Sequence, residues 1–155
     1  MRRIRWLVLS GLAAGLGCGD AGDRSFAELQ ARGHMAMGVD QYTSLHVFEP
    51  LPEGGRISLE READDPGGVT RIREHMREIA GAFASGDFQL PGFVHDREVP
   101  GTGVMAARRE AITYTVDTLP YGAALHIVTQ DSAALEAIHV FLAFQRHDHR
   151  VGAAD

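Results

Sequence analysis

The chain has 155 residues, with 15 basic residues, all of them arginine, against 21 Asp plus Glu, for a formal net charge of −6. That length suits one domain with its own core, and 45% hydrophobic with 23% charged residues excludes the disordered, collagen-like and helical-membrane classes. The acidic balance, with no Arg cluster outside the first few residues, argues against nucleic acid as a partner.

Arg2, Arg3 and Arg5 open the chain, and Trp6 to Leu16 is an apolar run too short to span a bilayer, which needs ~20 residues. This is the pattern of an export signal. It ends at Gly15-Leu16-Gly17-Cys18, and this single Cys stands where bacterial lipoprotein signals carry the cysteine that is lipidated, although an aliphatic residue is usual in place of Gly15. Residues 1–17 are therefore expected to be a lipoprotein-type signal and Cys18 the lipidation site; a cleaved soluble signal and a buried Cys are the alternatives. The expected location is the cell envelope or periplasm, with the membrane as partner through the lipid anchor. Without residues 1–17 the chain carries 12 basic against 21 acidic residues, net −9. With no second Cys, an internal disulfide and a thiolate cluster are both excluded.

Residues 18–41 read as tether and lead-in, with a short helix at Ser25–Arg32 that has Phe26 and Leu29 on one side. From Tyr42 to Glu49 the chain alternates, with Leu45 and Val47 on one face and Tyr42, His46 and Phe48 on the other. The first pair is expected to face the core. Pro50 to Gly55 turns, and Ile57 and Leu59 continue the alternation, which predicts a β-hairpin. Asp65-Pro66 starts a helix in which Val69, Ile72, Met76, Ile79 and Phe83 form an apolar stripe, stopped by Gly86. Residues 86–110 form a long Pro/Gly-rich connection, of the kind that carries function or varies freely at the surface. A second hairpin follows, Ile112, Tyr114 and Val116 before the turn at Leu119 to Gly122, then Leu125 and Ile127. Asp131 or Ser132 caps a last helix to about His149, apolar nearly all round from Ala133 to Phe144 and so expected at the centre of the core. The order predicts an α+β fold, ββα–ββα, with a four-stranded antiparallel sheet and two main helices, in one domain over 42–150.

Eight His in a chain without Lys is the main chemical oddity. Neutral imidazole is a versatile metal ligand, and two His precede Met directly, in His34-Met35-Ala36-Met37 and His75-Met76. Thioether beside imidazole suits copper, with zinc next. The candidate ligands are His46, His75, His95, His139 and His149, with Asp96 and Asp148 orienting imidazoles from behind. His139 lies between Leu135 and Leu142 and reads equally as a core histidine with one hydrogen bond. No His-x-x-x-His, Gly-x-Ser-x-Gly or phosphate-loop motif occurs, so any site is assembled by the fold and no catalytic residue is assigned.

The run Met37-Gly38-x-Asp40-Gln41, then His46-x-Phe48, His75, His95-Asp96, and Ala137-Ile138-His139-x-Phe141-Leu142-x-Phe144-Gln145-x-x-Asp148-His149, resembles a group of small exported bacterial proteins that often carry the label aspartate carbamoyltransferase. The resemblance covers roughly residues 37–150 and implies that the five histidines act as a set. It does not imply that activity, because the enzyme is about twice this length and depends on a Ser-Thr-Arg-Thr phosphate motif absent from this sequence. The leading expectation is an exported, lipid-anchored metal-binding domain for copper or zinc. The alternatives are an envelope interaction module with structural histidines and a protein partner, and a metal-dependent enzyme with an open coordination position.

Overall fold

A computed structural model describes residues 19–39, 43–61 and 64–150. The expected signal and the expected lipidation site Cys18 lie outside the described residues. Strands β1 (Ser44–Leu51) and β2 (Gly54–Arg61) form the first hairpin, and β3 (Ile112–Leu119) and β4 (Gly122–Thr129) the second. All pairings are antiparallel and the sheet order is β1-β2-β4-β3, so the fold is α+β around a four-stranded antiparallel sheet.

Register decides which face of the sheet is the core. Phe48 pairs with Ile57, which pairs with Leu125, and His46 pairs with Leu59, which pairs with Ala123. Direct antiparallel partners share a face, so the apolar residues of β2 and β4 draw His46 and Phe48 inward. Leu45 faces Glu60 and Val47 faces Ser58, and both go to the outer face. This reverses the expected orientation of β1: Phe48 is 4% exposed and Leu45 55% exposed. Local alternation gave the correct period with the wrong face, because β1 has apolar residues on both sides and only its partner strand breaks the tie.

Helix α2 (Pro66–Ser85) begins where the Asp65 carboxylate accepts from the Gly68 amide at 2.9 Å and ends at Gly86 in the left-handed conformation. It lies chiefly over β3 and β4, while α5 (Ser132–Asp148) lies chiefly over β1 and β2. At Gly55 a side chain would strike Leu142 of α5, so its absence lets α5 descend onto the first hairpin. Buried α5 residues Ala134, Ala137, Ile138, Phe141, Leu142 and Gln145 form its inner stripe, whereas Val140 is 44% exposed. Full burial of a side chain such as Phe141 contributes ~1.5–3 kcal/mol.

Two segments are more ordered than the sequence reading predicts, and they interrupt the expected ββα–ββα order. The tether and lead-in contains helix α1 (Gly19–Met37), ahead of all strands. It buries Leu29 and Met37, and Val39 beyond it is buried too. Arg32 Nε donates to the Val94 carbonyl at 2.8 Å, fixing α1 against the long connection. That connection holds helices α3 (Gln89–His95) and α4 (Thr102–Ala107) and a 3-10 turn at Arg109–Ala111, and it buries His95, Val99, Thr102 and Met105. Before α4, Gly101 has φ +88°, and a Cβ there would sit 2.3 Å from the Ala137 carbonyl oxygen. A glycine is needed both for that backbone and for the close approach to α5. Among the described residues no helix is long and apolar enough to cross a membrane.

Candidate functional site

Four of the five expected histidines line one cavity. His46 reaches it from the inner face of β1, His75 from the buried face of α2, His95 from the last position of α3 and His149 from the C-terminal cap of α5. The cavity has a volume of about 70 Å³ and otherwise mostly apolar walls, to which Met37 of α1 and Met76 of α2 belong. This is room for a few water molecules or an ion with a small ligand, given that one water needs ~10–15 Å³ on the same measure.

The rings are close neighbours. His149 has its ring centre 5.3 Å from that of His46 and 5.1 Å from that of His95, edge-on to the latter at 89°. Phe48 lies 4.2 Å from His46 and 5.4 Å from His149, centre to centre. His46 Nδ1 is buried with no hydrogen-bond partner among the described residues. A buried polar nitrogen left unpaired costs ~1–3 kcal/mol, so this atom marks a place where a ligand would restore a bond.

His95 is the best-anchored member. Its Nδ1 lies 2.9 Å from Asp148 Oδ2 and its Nε2 2.9 Å from the Gln145 side-chain amide. Arg97 Nη2 donates to both carboxylate oxygens of Asp148 at 2.8 Å, and its guanidinium lies 4.7 Å over Phe144, whose ring stands edge-on to His95. Asp148 accepts from Nδ1–H and so fixes the orientation of the His95 ring, while Nε2 faces Gln145 Oε1, a side-chain amide that presents its nitrogen instead after a half turn. Asp148, Gln145 and His149 come from the last turn of α5, so a single helix end supplies the orienting carboxylate, the amide and one imidazole.

Burial sets the charge state. It is the main cause that holds the His46 imidazole well below its usual pKa, assisted by the positive charges His149, His75 and His95 would carry. Burial likewise lowers His149 to about 4, with His95 adding to the effect and Asp148 opposing it. His75 is lowered by burial, against a partial opposing pull from Glu78. For Asp148, burial pushes the carboxyl upward, but hydrogen bonds from His95 and Arg97 outweigh it and keep the group below the ordinary carboxylate value. At neutral pH His46, His75 and His149 are therefore neutral, the form in which imidazole binds a metal.

His139 does not join them. Its Nε2 donates to the Leu51 carbonyl at 2.9 Å beside the first hairpin, so it acts as a bracket between α5 and β1. Ten residues of helix separate it from position 149, a rise of ~15 Å, and one helix cannot bring both rings to a single ion. Asp96 is also displaced from its expected role: it caps α3 at φ +53° and is exposed, and Asp148 takes the carboxylate place behind His95. His126 meets Asp117 at 3.2 Å on the outer face, and His34 and His147 are exposed. Among the described residues no group of three or more His, Cys, Asp and Glu side chains stands in a geometry that could hold a metal ion as they are placed. Sequence reasoning missed Gln145 and Arg97 as parts of the site. Gln145 lies four residues before His149 on the same helix face, a signal available in the sequence; Arg97 carried none.

Against protein-family models, curated proteins and solved structures, the chain has no match.

Proposed function

We propose that this protein is an exported metal-binding domain, anchored through a lipid at Cys18, that holds copper or zinc in the cavity lined by His46, His75, His95 and His149. The observation that carries the reading is the buried, unpartnered Nδ1 of His46 beside three more imidazoles drawn from separate elements into an otherwise apolar space. Desolvating four imidazoles without a ligand is costly, and an ion in their midst offsets that cost. Ring spacing supports it further. An ion ~2.0–2.1 Å from each nitrogen at a tetrahedral angle puts two imidazole centres ~5 Å apart, close to the 5.1 and 5.3 Å separations around His149.

Binding requires the side chains to turn toward a common point, and for His95 it requires Nε2 to exchange Gln145 for the ion. Asp148, held by Arg97, keeps Nδ1–H occupied while that exchange takes place and raises the basicity of Nε2. Three of these histidines as ligands would leave a fourth position for an incoming small molecule.

The test is metal content after gel filtration of the full-length chain loaded with Zn²⁺ or with copper under reducing conditions. One equivalent per chain is expected for wild type and for His139→Gln, and well under half an equivalent for His46→Ala and His149→Ala. Absence of stoichiometric metal in wild type, or equal content in all four proteins, refutes the reading.

A further inference from the structure

Resting on the metal-site reading above, we propose that the ion this cavity takes is monovalent copper, Cu(I), with the thioethers of Met37 and Met76 serving as donors beside the imidazoles.

The first reason is charge. No Asp, Glu, Cys or Arg side chain is among the described residues that line the cavity, so its wall offers an ion imidazole and thioether donors but no carboxylate or thiolate. The cost of moving an ion from water into apolar surroundings grows with the square of its charge, so a divalent ion pays about four times as much as a monovalent ion of equal size. Zn²⁺ and Cu²⁺ commonly recover that cost through thiolate or carboxylate ligands, which this wall does not supply.

The second reason is donor softness. Met76 is 1% and Met37 9% exposed, while Met35 is 67% exposed. Within His34-Met35-Ala36-Met37 only Met37 of the two methionines lines the cavity; His34 and Met35 are exposed. Two methionines and four histidines from α1, α2, β1, α3 and the end of α5 thus share one wall. Soft thioether sulfur selects Cu(I) over zinc among the ions that imidazole also accepts.

The third reason is coordination number. Zn²⁺ asks for four ligands around it, whereas Cu(I) is satisfied by fewer. Two imidazole pairs around His149, with ring centres 5.3 and 5.1 Å apart and two methionines in the same wall, suit the less demanding ion. The function implied is storage or hand-over of reduced copper in the envelope, with the apolar walls keeping water away from it.

The experiment uses the full-length chain under oxygen-free, reducing conditions. Cu(I) affinity is read by competition with bicinchoninate, Zn²⁺ affinity by competition with a chromophoric chelator, and the copper shell by X-ray absorption. The expected results are Cu(I) bound at least a thousandfold tighter than Zn²⁺ and sulfur scatterers on the copper. Met37→Leu with Met76→Leu, which keeps the side-chain volume, should weaken Cu(I) at least tenfold, leave any Zn²⁺ binding unchanged and remove the sulfur signal. Zn²⁺ held as tightly as Cu(I), or a nitrogen-only copper shell, overturns the Cu(I) inference and leaves the metal site standing. No binding of either ion overturns both. If the double variant does not fold, the wild-type absorption spectrum and the Cu(I)/Zn²⁺ affinity ratio still decide.

Discussion

The same residue type stands in two regions of this molecule under opposite terms. Around the cavity, His46, His75, His95 and His149 crowd together in apolar surroundings, and His46 keeps a nitrogen unpaired. Elsewhere, His139 gives its Nε2 proton to the Leu51 carbonyl and His126 meets Asp117, each with a local partner that accounts for its place. The difference separates an imidazole whose local partner accounts for its place from one whose burial is left unexplained. Abundance and apolar neighbours do not make that distinction, since His139 has both, whereas the buried, unpartnered nitrogen of His46 does. His95 sits between the two cases, fully bonded yet placed so that one of its bonds, to Gln145, is exchangeable.

The sharpest way to break this comparison is to delete one imidazole from each region. His46→Ala or His149→Ala should lower metal affinity by at least about 100-fold, the scale expected for loss of a direct ligand when loss of an outer partner costs ~10–100-fold, while His139→Gln should leave it within about twofold; competition titration reads both. Next in size is the carboxylate behind His95. Asp148→Asn should weaken metal binding by ~10–100-fold, and Asp96→Asn should not, because Asp96 caps α3 without touching the imidazole.

Acid sharpens the contrast through stability. His149 has a folded-state pKa of about 4 against an unfolded value of ~6.5, so between these values the unfolded chain binds more protons and stability falls as pH falls. The contribution is fully present above pH ~6.5 and lost through pH ~4, up to about 3 kcal/mol from this group, with His46 and His75 acting in the same direction. Urea unfolding of the metal-free protein at pH 7.5 and pH 5 should show the loss, and His149→Phe should flatten it; an unchanged pH slope in that variant would remove His149 from the buried neutral set. The smallest effect is expected for His139→Gln, a loss of ~1 kcal/mol in metal-free stability from one hydrogen bond to a carbonyl, measured by the same unfolding curves.

Much of the fold was legible in the sequence where local pattern and long-range packing agree. The α2 stripe from Val69 to Phe83, the Asp65 and Gly86 caps and both hairpins follow from period and turn chemistry. The face of β1 was not legible, because Leu45 and Val47 are as apolar as Phe48 and only pairing with Ile57 and Leu59 chooses between them. Helices α3 and α4 were hidden by Pro and Gly, which here start and space short helices instead of opening a loop: Pro91 falls in the first turn of α3 and Gly101 precedes α4. For the candidate site, four of the five histidines singled out in the sequence line one cavity, and helix arithmetic alone could have separated His139 from His149. The roles of Asp148 and Arg97 behind His95 depend on α3 meeting the end of α5, a contact between residues about fifty positions apart that no local pattern encodes.

The most direct test is thermal melting of wild type, His46→Ala, His149→Ala and His139→Gln with and without Cu(I) or Zn²⁺. An ion that binds only the folded state at 100 times its Kd adds ~2.7 kcal/mol to stability. The account predicts a clear rise in Tm for wild type and His139→Gln and little or none for the two cavity variants. An equal rise in all four proteins, or none in wild type, would contradict it.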